Sequence, residues 1–300
     1  MQIAGIDTSR DLDRICPRLL RRNHPTFREG GTRPVEVGGV CFGGPRPIII
    51  AGPCAVESRA QTLEIARAAK ACGADMLRGG AFKPRTSPYD FQGLGEDGLK
   101  ILQEASQETG LPVVSEVLDV RLVELVSRYA DMLQVGSRSM QNFPLLTEVG
   151  RLGHPVLLKR GMAALLCEWL GAAEYIAKEG NLNIVLCERG IRSFAGGEYS
   201  RFALDLNVIK AAQETTFLPV IVDPSHATGV AEMVPGASRA AIESGAHGLI
   251  IEIVAESTDL ATIKCDALQA IRPSALREIV AYVHARAEKS NHTTCVGSGG

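Results

Sequence analysis

Short, almost uninterrupted apolar runs recur along the chain, each followed by a small or polar cluster and then by a stretch with helical spacing. The runs are PIIIAG (47–52), DMLRGG (75–80), LPVVSEV (111–117), DMLQVGS (131–137), PVLLKRG (155–161), NIVLCERG (183–190), LPVIVDPSH (218–226) and GLIIEIV (248–254), eight in all. Between them lie amphipathic stretches such as SRAQTLEIARAAKACG, DGLKILQEASQETG, VRLVELVSRYA, ALLCEWLGAAEYIAKEG and SRAAIESGA, several ending on the glycine expected at a helix C-terminus. Runs that are apolar throughout, rather than alternating, predict parallel strands covered on both faces. Eight such units in succession predict a closed (β/α)8 barrel in preference to an open doubly wound sheet.

Residues 1–46 precede the first barrel strand, and their segment TRPVEVGGVCFGG predicts a short hairpin placed to plug the barrel floor. The barrel itself is expected over 47–288, and the small, polar stretch 289–300 is expected to be a flexible tail. A chain of 300 residues suffices for one such barrel as a single domain.

A net charge of −2 and a pI near 6.3 give no overall basic field, so neither nucleic acid nor an anionic membrane is expected as a partner. Any anionic ligand must therefore be held locally. The eight cysteines form no C-x-x-C pair and no small-domain spacing, which argues against a disulfide framework. The first 25 residues lack the apolar run of a signal peptide, and no segment approaches the ~18 consecutive apolar residues of a membrane span, so a cytoplasmic protein is expected. No Walker-type loop, no G-x-G-x-x-G after a strand and no G-x-S-x-G occurs, which removes the usual signals for nucleotide binding and serine hydrolysis.

In a (β/α)8 barrel, chemistry sits at the carboxyl ends of the strands. Those ends carry Cys54, Arg78 with Lys83 beyond it, Glu116, Arg138, Lys159, Arg189, Asp223 with His226, and Glu252. Five of these are cations, Arg78, Lys83, Arg138, Lys159 and Arg189, and their mutual repulsion in one concave site is tolerable if a multiply charged anion sits among them. The competing reading of each arginine is a salt bridge to a rim acid, with Glu188 the nearest partner for Arg189. Cys54, His226 and Glu252 belong to strands one, seven and eight, close together once the barrel shuts, and Asp266 is a candidate fourth ligand. Such a mixed S, N and O set suits Mn, Fe, Co, Cu or Zn better than Mg or Ca. Cys265 is left out, because adjacent residues seldom point the same way.

Six blocks, IAGPCAVES (50–58), RGGAFKPRTSPYDFQGLG (78–95), QVGSRSMQNFPLL (134–146), LLKRGM (157–162), LCERGIRSF (186–194) and DPSHATG (223–229), resemble successive blocks of the class I 3-deoxy-D-arabino-heptulosonate 7-phosphate synthases, in the compact-barrel branch. The resemblance implies condensation of phosphoenolpyruvate with erythrose 4-phosphate, the first step of the shikimate pathway, in a homodimer or homotetramer that uses a divalent transition metal. It further implies that Arg78, Lys83, Arg138, Lys159 and Arg189 grip phosphoenolpyruvate and that Glu116 positions a water. Cys54, His226, Glu252 and Asp266 match the metal ligands, and Lys83, Pro84, Arg85 and Thr86 match the segment that binds erythrose 4-phosphate. On the same basis Lys83, Glu116, Lys159 and His226 are the expected catalytic residues.

The chain departs from the family pattern at Ser137 and Ser139, in SFAGGEYSRFALDL (193–206) and in IEIVAES (251–257). The matching blocks leave no appended amino-acid-sensing or chorismate mutase domain, from which an enzyme without built-in feedback control is expected. Two alternatives stand beside this reading. One is a related synthase taking arabinose 5-phosphate or an amino sugar phosphate, and the other is a non-catalytic barrel that binds sugar phosphates.

Overall fold

The computed structural model describes residues 17–22, 24, 31–194 and 201–296, with the side chains of 289–296 left aside. Among the described residues ten strands are formed: β1 (Val35–Val37), β2 (Val40–Phe42), β3 (Ile48–Gly52), β4 (Met76–Arg78), β5 (Val113–Glu116), β6 (Met132–Val135), β7 (Val156–Lys159), β8 (Ile184–Glu188), β9 (Val220–Val222) and β10 (Gly248–Glu252). Strands β3 to β10 are the eight expected ones. They pair in parallel in chain order, and β10 closes the ring on β3, with Glu252 opposite Gly52.

Successive side chains of a strand point to opposite faces, so each barrel strand contributes to two cores. Ile50, Met76, Val114, Met132, Leu157, Val185, Ile221 and Ile250 fill the barrel interior. Their neighbours Ile49, Leu77, Val113, Leu133, Leu158 and Leu186 face the surrounding helices. Burial on both sides is why the runs are apolar without alternation.

The amino-terminal hairpin closes the floor of this interior. β1 and β2 pair antiparallel, and Val35, Val37 and Phe42 join the inner core around Ile48 and Ile50. Gly38 and Gly39, at φ 54° and 84°, supply the positive φ that a two-residue turn between strands requires. At Gly38 a side chain is excluded twice over, since a Cβ would also lie 2.7 Å from the Pro112 ring.

Most helix ends follow local chemistry. The Ser58 side chain accepts from Gln61 N to start Arg59–Ala71, and Gly110 at φ 70° ends Glu96–Thr109. Three helices lie outside the stretches singled out above from the sequence. Phe143–Leu152 is capped by Asn142, Asn207–Thr215 follows the sixth barrel strand, and Pro224–Thr228 occupies part of the stretch read as strand 218–226. Strand β9 stops at Val222 because Asp223 caps the helical turn and Pro224 opens it, so His226 stands on that turn and not on a strand end. The last helix, Pro273–Val296, carries helical backbone past the boundary expected at 288; residues 297–300 lie outside the described residues.

Phe42 has no exposed surface. Phe42→Ala is expected to lower the unfolding free energy in urea by about 3–5 kcal/mol, whereas Leu268→Ala on the surface should change it by less than about 0.5 kcal/mol. A small effect at Phe42 would mean that the hairpin does not contribute to the core.

Candidate active site and metal centre

The carboxyl ends of the strands surround a cavity of about 190 Å³. Every residue expected to bind substrate or metal lines it except Cys54 and Glu252, which lie beneath it in contact with lining residues. Arg78, Lys83, Lys159 and Arg189 are all buried, and Glu116 is held by Gln134 Nε2 at 3.2 Å. Glu116 also depends on a glycine, because a Cβ at Gly136 would sit 1.9 Å from its Oε1.

The cations are only partly neutralised. Arg78 Nη2 reaches Glu252 Oε1 at 3.0 Å, yet its Nε and Nη1 are buried without a hydrogen-bond partner. Arg189 Nη1 is in the same condition, and the Arg189 guanidinium lies 4.2 Å from the centre of the Phe202 ring. The bland partner suggested by the sequence is taken, because Glu188 pairs with Arg160 at 3.1 Å on the outer side of the strands. Burial pushes the Arg189 pKa down, as expected of a cation lacking full compensation. Buried guanidinium donors without acceptors are costly, and they are positioned to donate to an anion in the cavity.

Two expected anchors are tied into the walls. Lys159 pairs with Asp223, and Arg85 Nη1 donates to Cys265 Sγ at 2.9 Å while its other end meets Asp90. Arg138 is exposed and donates to Pro84 O at 2.6 Å, which fastens the Lys83–Thr86 segment over the cavity.

Cys54, His226, Glu252 and Asp266 converge as expected, with one donor atom from each lying within 4.8 Å of the others. Asp223 orients this set. Its Oδ2 meets His226 Nδ1 at 2.7 Å, and since a carboxylate only accepts, Nδ1 carries the proton and Nε2 presents its lone pair. Nε2 in turn lies 3.3 Å from Glu252 Oε1, a buried oxygen with no hydrogen-bond partner. A buried thiol, an imidazole nitrogen and two carboxylates make a mixed S, N and O donor set that fits a divalent transition ion.

The charges agree with this picture. Burial alone would raise Asp266, but His226, protonated in the acid range where this carboxyl titrates, together with Arg201 and Lys83 outweighs it and holds the carboxyl down to about 2. Burial likewise opposes ionisation of Asp223 and Glu252, and neighbouring cations overcome it in both. Burial lowers the His226 pKa, favouring the neutral ring that a metal needs.

Several functional neighbours were not anticipated. Cys265 Sγ lies 3.0 Å from Cys54 Sγ, so the expectation that it points away is corrected. The reason is Asp266, the one non-glycine with positive φ among the described residues, at 49°; the left-handed turn brings Cys265 and Asp266 to the same side. Cys54 and Cys265 share a hydrogen bond, and Cys54 is the member pushed up, by that bond and then by burial. Arg201 and Phe202 enter the cavity from the segment where the sequence departs from its family pattern, and Gln269 sits behind Glu252.

Fold and site together define a (β/α)8 barrel whose carboxyl-end pocket gathers buried cations beside a cluster of four residues that could hold a metal ion. The DAHP synthetase I family matches residues 31–290, and the chain belongs to that family. It is 48% identical over 219 residues to the phospho-2-dehydro-3-deoxyheptonate aldolase of Thermotoga maritima, a match covering 73% of this chain and 64% of that protein. The chain thus matches somewhat less than two thirds of that relative's length. The crystal structure of the Thermotoga maritima enzyme superimposes with a TM-score of 0.84 at 41% identity, covering 91% of this chain and 77% of that one. A truncated form of the Thermotoga maritima synthase gives 0.80 at 38% identity, covering 90% of this chain and 96% of that one. The 2-dehydro-3-deoxyphosphooctonate aldolase of Syntrophotalea carbinolica is 34% identical over 73% of this chain and 84% of its own.

The Asp266 shift has a pH signature. In the metal-free protein the stability contributed by its ionisation is complete above 3.8, the ordinary value, and is lost as pH falls through about 2. Urea midpoints across that interval should fall more steeply for the wild type than for Asp266→Asn. Parallel curves would show that the surrounding cations do not hold this carboxylate ionised.

Proposed function

We propose that the chain catalyses the condensation of phosphoenolpyruvate with erythrose 4-phosphate to 3-deoxy-D-arabino-heptulosonate 7-phosphate and inorganic phosphate, as a metal-dependent synthase. The observation that carries this reading is the set of buried, unpartnered guanidinium donors on Arg78 and Arg189 beside the Cys54, His226, Glu252 and Asp266 cluster. Family membership and the Thermotoga maritima relatives supply the choice of reaction. The reading includes a cytoplasmic homo-oligomer; the oligomer rests on the resemblance and the compartment on the cysteine pattern and the amino-terminal sequence. Among the described residues no helix is long and apolar enough to cross a membrane.

The residues divide the work by charge. Arg78, Lys83, Lys159 and Arg189 take the carboxylate and phosphate of phosphoenolpyruvate, and binding that anion relieves the cost of their burial. Lys83, Pro84, Arg85 and Thr86, secured by Arg138, receive the phosphorylated aldehyde. Holding two anionic substrates together is unfavourable in water, and the fixed cations offset that repulsion and set the approach of the enol C3 to the aldehyde carbon. Glu116 positions the water that adds at C2 and accepts its proton, after which the C–O bond to phosphate breaks. Cys54, His226, Glu252 and Asp266 would hold a divalent ion such as Mn, Fe, Co, Cu or Zn. When bound, such an ion supplies Lewis-acid polarisation of an oxygen or activation of water. Asp223 keeps His226 in the tautomer that leaves Nε2 free.

Purified protein given phosphoenolpyruvate, a divalent metal and either erythrose 4-phosphate or arabinose 5-phosphate should consume the enol absorbance with erythrose 4-phosphate. Consumption with neither sugar would remove the synthase reading, and consumption with arabinose 5-phosphate alone would transfer it to the octulosonate class. In the active protein, Arg189→Met should raise KM for phosphoenolpyruvate about ten- to a hundredfold, the equivalent of one charged hydrogen bond. Cys54→Ala should abolish metal-dependent turnover with the fold intact, and full activity of that variant in chelator would contradict the ligand set.

A further inference from the structure

The two carboxylates of the candidate metal set come from different segments, Glu252 from the end of β10 and Asp266 from the loop after it. Glu252 is held from outside by Gln269 and Asp266 by Arg201, and these two residues are hydrogen-bonded to each other. We propose that Gln269 and Arg201 form an outer bracket that orients Glu252 and Asp266, and so sets the affinity of the four-donor site for its ion. This inference rests on the metal reading above.

The geometry is continuous. Gln269 is buried, and its Nε2 donates to Glu252 Oε2 at 2.6 Å. Its Oε1 accepts from Arg201 Nη1 at 3.2 Å, and the same Nη1 reaches Asp266 Oδ1 at 3.3 Å. In both carboxylates one oxygen is held from behind while the other faces the cluster. Glu252 Oε1 is turned toward His226 Nε2, and Asp266 Oδ2 toward Cys54 Sγ at 3.4 Å. The bracket thereby selects which oxygen each ligand presents.

Only an amide meets both ends of this chain. The carboxylate of Glu252 needs a donor and the guanidinium of Arg201 needs an acceptor, so the orientation of the Gln269 amide is fixed by its partners. Asp266 and Gln269 also share one turn. Asp266 precedes the 3₁₀ turn Ala267–Gln269, and Gln269 N approaches Asp266 O at 3.4 Å. A ligand and the residue that orients the next ligand therefore move as a unit. Hydrogen bonds of this outer kind change metal affinity by about ten- to a hundredfold when removed. Arg201 is 41% exposed at its side chain, so its share is the smaller.

The test is an equilibrium titration of metal-stripped protein with Mn²⁺, reading the electron paramagnetic resonance signal of the free ion, with Co²⁺ absorption as a second readout. Gln269→Leu removes both hydrogen bonds, and Gln269→Glu keeps the size while replacing the donor to Glu252 with a carboxylate oxygen. Both should weaken Mn²⁺ binding about ten- to a hundredfold. The thiolate-to-Co²⁺ charge-transfer band from Cys54 should persist while the ligand-field bands shift. Arg201→Met, at a half-exposed position where folding is not at risk, should weaken binding severalfold, with Arg201→Lys restoring part of the loss. Wild-type affinity in Gln269→Leu, Gln269→Glu and Arg201→Met, with binding still lost in Cys54→Ala, would overturn the bracket and leave the metal reading standing. A wild-type protein that takes up no ion, or Cys54→Ala binding as tightly as wild type, would instead remove the metal reading and the bracket with it.

Discussion

Arg78 and Glu252 meet at 3.0 Å with side chains 5% and 0% exposed, and this contact joins the two halves of the site. Arg78 belongs to the cation set and Glu252 to the candidate metal set, so neither can be moved without disturbing the other. Taking both charges out of water is expensive, and one ion pair does not fully repay it. Arg78 Nε and Nη1 are left without a partner, and Glu252 Oε1, although it meets Arg78 Nη2, has no contact of hydrogen-bond geometry. In the proposed function the substrate anion and the metal ion are the groups that complete this pair.

The barrel makes this arrangement possible by closing. Pairing of β10 with β3 places Glu252 opposite Gly52, two residues before Cys54, although 198 or more positions separate Glu252 from either residue along the chain. Alternation along the neighbouring strands then sorts charges by face. Lys159 and Arg189 line the cavity, while Arg160 and Glu188, each one residue away, pair with one another outside it, where Asp205 also meets Arg160 at 2.9 Å. The outer pair thus gives Glu188 a partner other than Arg189 and leaves the inner cations for a ligand.

Much of this was legible from residue order alone. Eight doubly buried strands leave apolar runs without alternation, and their carboxyl ends carry charged residues that no core would accept. The four candidate ligands and the cations were therefore visible before any coordinates. What escaped depends on backbone direction or on contacts distant in sequence. The approach of Cys265 to Cys54 depends on the left-handed turn at Asp266, which has no sequence signal beyond an aspartate that tolerates it. His226 was read as a strand end because Asp223 capping and Pro224 at a helix start look, in a run of apolar residues, like the end of a strand. Arg201 and Gln269 lie in loops, and their roles appear only when 201, 252, 266 and 269 come together.

In the proposed function one site holds a metal ion on Cys54, His226, Glu252 and Asp266 and an anion on Arg78 and Arg189. Crystals grown with Mn²⁺ and phosphoenolpyruvate, with anomalous data collected at the manganese edge, would show both. A single strong anomalous peak bonded to Cys54 Sγ, His226 Nε2, Glu252 Oε1 and Asp266 is expected, with oxygens of phosphoenolpyruvate on the free guanidinium nitrogens. A peak elsewhere, or a ligand bound away from both arginines, would contradict it.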